Sequence, residues 1–222
     1  MALNKTRRYS RHTYGDSGVY GHRNILSVSF VATDLGSPAA AAATTVSAAI
    51  TGSNSVVVSG SLSVTLDSPR NLTVTAGGTA GSITASAITI TGTNVEGKVI
   101  TEDFTPTVDT AGLLTGNKAF ATVTGYSIPV QDGAGATYSI GVGSKLGIGM
   151  RNLASMPIKV LVDDAGTETI EDAGASAFSS SAVESNTVTT TTALNGTKRF
   201  RVYVLNYKFA INPTNAQPDY GV

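Results

Sequence analysis

Apolar residues in this chain recur mostly at every second position. Ser63-Val64-Thr65-Leu66 alternates cleanly, and Leu72-Thr73-Val74-Thr75 does the same. The strongest signals are two glycine-punctuated stretches rich in Thr, Val and Ile, from Ile88 to Phe104 and from Lys118 to Ile128. Alternating β-branched residues broken by Asn and Gly make strands and tight turns. On this pattern strands are predicted over 25–33, 46–50, 56–66, 72–75, 83–91, 98–104, 118–128, 137–142, 158–162, 168–170, 188–193 and 199–209. Asp67-Ser68-Pro69 reads as a turn, Asn94 to Gly97 as a hairpin tip, and Asp163 to Gly166 as another. Residues 34–43 read as a loop in which Ala39–Ala43 forms at most a short helical turn, because Ala favours helix. Residues 145–152 and 173–187 read as Gly-rich and Ser/Ala-rich connections.

Short strands with turn signals about every 8–12 residues predict an all-β fold, an antiparallel β-sandwich or barrel-like body with an extended N-terminal arm. No strand–helix alternation marks a nucleotide-binding α/β sheet, and no fixed period marks a solenoid. Three segments follow: an arm over residues 1–24, a body over 25–211 with a candidate subdivision near 150–158, and a tail over 212–222. The arm has neither helical nor strand period. Its Tyr9, Tyr14 and Tyr20 would be wasted on a solvated tail, so an ordering partner is expected.

Composition sharpens this picture. The 222 residues are 41% hydrophobic but only 14% charged, and the formal net charge is zero. That length buries a core without staples. The charge is unevenly placed: residues 1–23 carry Lys5, Arg7, Arg8, Arg11 and Arg23 against Asp16 alone, a balance of 5 − 1 = +4, which the remainder offsets. A basic arm on a mildly acidic body predicts contact with an acidic surface. The absence of cysteine removes disulfides and zinc–thiolate sites together. Residues 1–24 lack the apolar core of a secretory signal, and the Ala/Thr-rich run from Pro38 to Ile50 is too short and polar to span a bilayer.

Motifs for chemistry are few. Gly15-Asp16-Ser17-Gly18 matches the tetrapeptide around a trypsin-like nucleophile, yet it sits in the arm with only His12 before it, and a triad needs a scaffold. Gly141-Val142-Gly143-Ser144-Lys145 lacks the spacing and following helix of a phosphate loop. Asp163, Asp164, Glu168, Glu171 and Asp172 read as a solvated hairpin, with a loose calcium site as the sharper alternative. Glu102 and Asp103 are adjacent on a strand, so they face opposite sides and make no acid/base pair. No enzyme activity, cofactor or metal is expected. Asn4, Asn71 and Asn195 stand in glycosylation patterns that carry no weight without a secretory signal. Lys5, Arg7, Arg8 and Arg11 among tyrosines suit either nucleic acid or an acidic protein surface.

Several sequence words resemble those of structural proteins of tailed bacteriophages. They are Pro69-Arg70-Asn71-Leu72-Thr73-Val74, the hairpin from Ile90 to Glu102, Gly116-Asn117-Lys118-Ala119-Phe120, Val142 to Ile148, and Asn195 to Phe200 followed by Val202-Tyr203-Val204. The resemblance covers about two-thirds of the chain. It implies a non-enzymatic virion component on the capsid exterior, present in the host cytoplasm during assembly, most like head decoration (cement) proteins. The expected partners are then the major capsid protein and neighbouring copies of this chain, with no membrane and no nucleic acid. The arm lies outside the matched words; its Lys5, Arg7, Arg8, Tyr9, Arg11, Tyr14, Tyr20 and Arg23 are the capsid-contact candidates. The rivals are a tail, neck or fibre component, which heptad or triple-helical repeats would favour, and a carbohydrate-binding sandwich. The latter wants aromatic platforms, for which Tyr126 and Tyr138 are the candidates in a chain without tryptophan.

Overall fold

A computed structural model describes residues 27–150, 158–172, 176–177 and 179–208. These residues form two antiparallel sheets. The strands are β1 (Ser27–Gly36), β2 (Ala42–Thr51), β3 (Val58–Gly78), β4 (Ile88–Thr93), β5 (Val99–Phe104), β6 (Gly112–Ile128), β7 (Ala136–Gly147), β8 (Ile158–Asp164), β9 (Thr167–Asp172), β10 (Ser176–Ala177), β11 (Thr187–Thr189) and β12 (Arg199–Lys208). Among the described residues the one helical segment is a single 3-10 turn, Val183–Ser185.

The smaller sheet has the order β1-β12-β8-β9, and the larger runs β10-β11-β7-β3-β6-β4-β5 with β2 also on β7. β7 takes β3 on one edge, and on the other takes β2 along Thr137–Val142 and β11 along Lys145–Gly147. The larger sheet curls on itself, so that Val46 of β2, Leu72 and Val74 of β3, Ile90 of β4, Phe120 of β6 and Ile140 of β7 share one core. A second core joins the sheets: Leu146, Ile148 and Val188 pack with Val160, Val162, Phe200 and Val202 of the smaller one. The body is therefore sandwich-like and all-β, as the alternation predicts. The chain passes from β7 to β8 through 151–157, where the candidate subdivision lies outside the described residues, and the second core takes side chains from both sides of it.

The differences from the predicted elements have physical causes. β3 is one strand of 21 residues, where two strands and a turn at Asp67-Ser68-Pro69 were expected. Those residues form a bulge: Leu66, Asp67, Ser68 and Pro69 stand between partners Thr65↔Thr122 and Arg70↔Phe120, opposite Ala121 alone. A bulge frees positions from the ladder, so a proline without an N–H is tolerated there. No helical turn forms at Ala39–Ala43, and Ala42 already belongs to β2. Tertiary bonds override the alanine preference: Ala39 N–H donates to Asp67 Oδ2 at 2.7 Å, and Ala39 O accepts from Arg70 Nη1 at 2.9 Å. β6 and β7 are longer than expected, absorbing Gly112–Asn117 and Gly143–Gly147, whereas the strand expected at 188–193 is only Thr187–Thr189. Within 173–187, expected as a loop, β10 and the 3-10 turn appear.

Candidate functional site

The densest polar constellation lies where β3 crosses between β6 and β7. Three irregularities meet there. Besides the β3 bulge, Gly116, Asn117 and Lys118 of β6 stand opposite Leu72 alone, because Asn71 pairs with Ala119 and Thr73 with Thr115. On the other side Gly143, Ser144 and Lys145 of β7 stand opposite Asn71 alone, because Arg70 pairs with Leu146 and Leu72 with Val142. Each bulge releases backbone N–H and C=O groups that a buried ladder would otherwise pair, and such groups need partners.

Side chains supply those partners. Arg70 is wholly buried, at 0% exposure. Its Nε donates to Gly143 O at 2.9 Å and Nη2 donates to the same oxygen, while Nη1 donates to Ala39 O at 2.9 Å and to the Asp67 carboxylate at 3.3 Å. Burial pulls the guanidinium pKa down, and the Asp67 charge and hydrogen bond oppose that shift. Asn71, equally buried, accepts Lys145 N–H on Oδ1 at 2.9 Å and donates Nδ2 to Gly116 O at 3.0 Å. From β5, Glu102 Oε1 accepts the Asn117 and Lys118 N–H groups at 2.6 and 3.2 Å. Its Oε2 is buried without a partner. Burial raises the Glu102 pKa above the ordinary value, against the pull of those two N–H groups and of Lys118 and Lys145. Lys145 Nζ closes the cluster on Asn117 Oδ1 at 2.5 Å.

Two glycines make the approach feasible. A Cβ at Gly143 would stand 2.4 Å from Asn71 Oδ1, and one at Gly116 would stand 2.4 Å from Glu102 Oε2. The glycines of the 141–145 run thus serve close packing inside a strand, with Lys145 turned to Asn117 rather than to an anion loop. The cluster is a clamp: Arg70, Asn71 and Glu102 bond backbone groups of the bulged strands, and together they tie β3, β5, β6 and β7 at one level. Four of the sequence words quoted above (those around Arg70, Glu102, Gly116 and Gly143) meet in it. Its signal in the sequence is a polar Arg-Asn pair inside an apolar alternation. The pairing with Glu102 is not legible there, because it depends on how the sheet curls.

The arm candidates Lys5, Arg7, Arg8, Tyr9, Arg11, Tyr14, Tyr20 and Arg23 lie outside the described residues, as do Gly15–Gly18, His12 and Asn4. Ser27 at the start of β1 pairs with Lys208 at the end of β12, so the first and last described strands have those ends side by side. Glu102 and Asp103 do face opposite ways: Asp103 accepts the Thr89 hydroxyl at 2.7 Å on the outer side. In the acidic hairpin each carboxylate has its own partner. Asp163 accepts Gly166 N–H, Asp164 pairs with Lys198, Glu168 with Arg201 and Asp172 with Lys159, and Glu171 accepts from Thr191 and Thr192. Among the described residues no three acidic or histidine side chains converge on a point that would hold a metal ion. Tyr138 is buried at 1% exposure with its hydroxyl on Gln131, and the Tyr126 ring lies against Gly60 of β3; neither is an open platform. Asn71 is sealed in the clamp and offers no glycan acceptor.

No protein-family model, no curated protein and no solved structure matches the chain. The likeness to phage structural proteins accordingly rests on the sequence words alone.

Proposed function

We propose that this chain is a non-enzymatic virion structural protein that stabilises the capsid shell of a tailed phage as a decoration protein. In this reading residues 1–24 lie across the major capsid protein, with Lys5, Arg7, Arg8 and Arg11 on acidic capsid surface, and the body sits outside the shell. The observation that supports the reading is the pairing of Ser27 with Lys208, which sets the ends of the first and last described strands together. In this reading the segments that adjoin them, attached at one point of the body, reach the same neighbour. Once one has bound, the other meets that neighbour at high effective concentration. A segment that orders on binding covers a large area for its length, at a cost in entropy that a repeated lattice offsets by avidity.

Quantitative mass spectrometry of purified virions tests this directly. A copy number comparable to that of the major capsid protein supports a place on the head lattice. A few copies per particle moves the protein to the tail, neck or a vertex. Deleting residues 2–23 is expected to leave the body folded and to weaken capsid binding; undiminished binding by that variant would refute the role of the arm.

A further inference from the structure

The first half of β3 has only one partner. Val58–Thr65 pairs with β6, while pairing with β7 begins at Arg70, so among the described residues the other edge of Val58–Pro69 carries no strand. Sheet edges left open in this way template further pairing unless charge, proline, bulges or brevity blunt them. The edge of β6 from Gly112 to Ala121, which β4 does not reach, carries Lys118 and has the Glu102 side chain on its Asn117 and Lys118 N–H groups, and the edges that end the sheets are blunted. β5 carries Glu102 and Asp103, β9 carries Glu168, Glu171 and Asp172, β1 carries Asp34, and β10 has two residues. β2 has no charge, but its register shifts twice in ten residues. The open edge of β3 ends at the bulge that holds Asp67 and Pro69, but the stretch before it, Ser53 to Leu66, has no charge and no proline, with one register shift between Ser61 and Val64.

Its side chains are incompletely covered. Leu62, Val64 and Leu66 are half-buried on the core side, while Ser59, Ser61, Ser63 and Thr65 point outward. Where the strand begins, Val56, Val57 and Val130 are 59%, 56% and 42% exposed. Beside its far end lies a cleft of about 300 Å³ lined by Ala40, Thr45, Val64, Leu66, Arg70 and Val142.

We infer that this edge pairs antiparallel with the same edge of a second copy. The pattern is self-complementary about Leu62. Val58 then faces Leu66, Gly60 faces Val64 and Leu62 faces its own copy on one side, while Ser59 faces Thr65 and Ser61 faces Ser63 on the other. A two-fold axis brings one patch onto itself, which is what a palindromic alternation requires. Strand pairing satisfies the free backbone groups, and each cleft receives the Val56 and Val58 side chains of the other copy. This interface does not depend on the arm or on capsid binding.

Sedimentation of the full chain tests it. The wild-type chain is expected to run at twice its monomer mass. Ser61→Lys with Ser63→Lys sets ammonium groups directly opposite one another and is expected to abolish the dimer while the monomer stays folded, with an unfolding midpoint that no longer depends on protein concentration. Ser61→Glu with Ser63→Lys sets opposite charges together and is expected to restore it. Because the chain has no cysteine, a Leu62→Cys variant provides a second readout. On oxidation it is expected to link covalently to a second copy, whereas Ser59→Cys, far from its own copy in this register, is not. A monomeric wild-type chain, a double-lysine variant that stays dimeric, or linkage through Ser59→Cys instead of Leu62→Cys would overturn the proposal.

Discussion

The clamp around Arg70 and the outer face of the smaller sheet use the same chemical groups in opposite ways. In the clamp, an arginine, an asparagine and a carboxylate are tied to backbone atoms of bulged strands, and the arginine is fully buried. On the smaller sheet, Arg199 meets Asp34, Arg201 meets Asp163 and Glu168, and Lys159 meets Asp172, all partly or largely in solvent. The lesson is that the number of ion pairs says little about where the fold is held. Exposed pairs exchange water for a partner of similar quality, whereas removing a buried partner leaves backbone groups with none.

The sharpest way to break this contrast is Arg70→Leu. It strands the buried carbonyl of Gly143 away from water, removes the bond to Ala39 O, and is expected to cost about 3–5 kcal/mol in urea unfolding. Arg70→Lys should recover only part of this, since an ammonium lacks the fork that spans both carbonyls. A loss below about 1 kcal/mol would mean that the clamp is not what fixes the sheet. Gly143→Ala comes next. Its Cβ collides with Asn71, and overpacking of this kind costs about 1–3 kcal/mol by the same measurement.

Two carboxylates sharpen the comparison through pH. Burial raises the Glu102 pKa, so its contribution is complete below the unfolded value near 4.5 and is lost as pH rises through the folded value. The Arg199 hydrogen bond lowers the Asp34 pKa below its ordinary 3.8, so its contribution is complete above that value and is lost as pH falls through the folded one. In thermal melts across pH, Glu102→Gln should remove a decline on the higher side and Asp34→Asn a decline on the acid side. Slopes of the same sign would refute the assignment. The smallest effect is expected from Lys159→Ala, which removes one exposed pair. A change of at most about 1 kcal/mol, vanishing in high salt, is the outcome that keeps the two regions distinct.

The alternation of Val, Ile and Leu with Ser and Thr made the strands and the hairpin at Asn94–Gly97 legible, because burial on one face imposes a period of two. Asp67-Ser68-Pro69 misled for a definite reason: turns and bulges recruit the same residues, and the distinction lies in whether the flanking strands reverse. Ala39–Ala43 misled because Asp67 and Arg70, some thirty residues away, hold its backbone extended. The acidic hairpin read correctly as a hairpin, but its partners Arg201 and Lys198 come from β12 and its neighbourhood, which no local pattern announces. Of the candidate site, Arg70, Asn71 and Glu102 were visible as residues, while their convergence needed the curl of the larger sheet.

The antiparallel pair of β1 and β12 also has a mechanical meaning. A tug on the first strand along its own axis, transmitted from Ser27, strains the registered pairs from Ser27↔Lys208 to Asp34↔Arg201 in shear, all together. A pull that separates the two chain ends sideways instead opens the same pair from its end, one bond after another. The body thus resists force best in the direction in which the strand itself points, and yields most readily when its two ends are drawn apart.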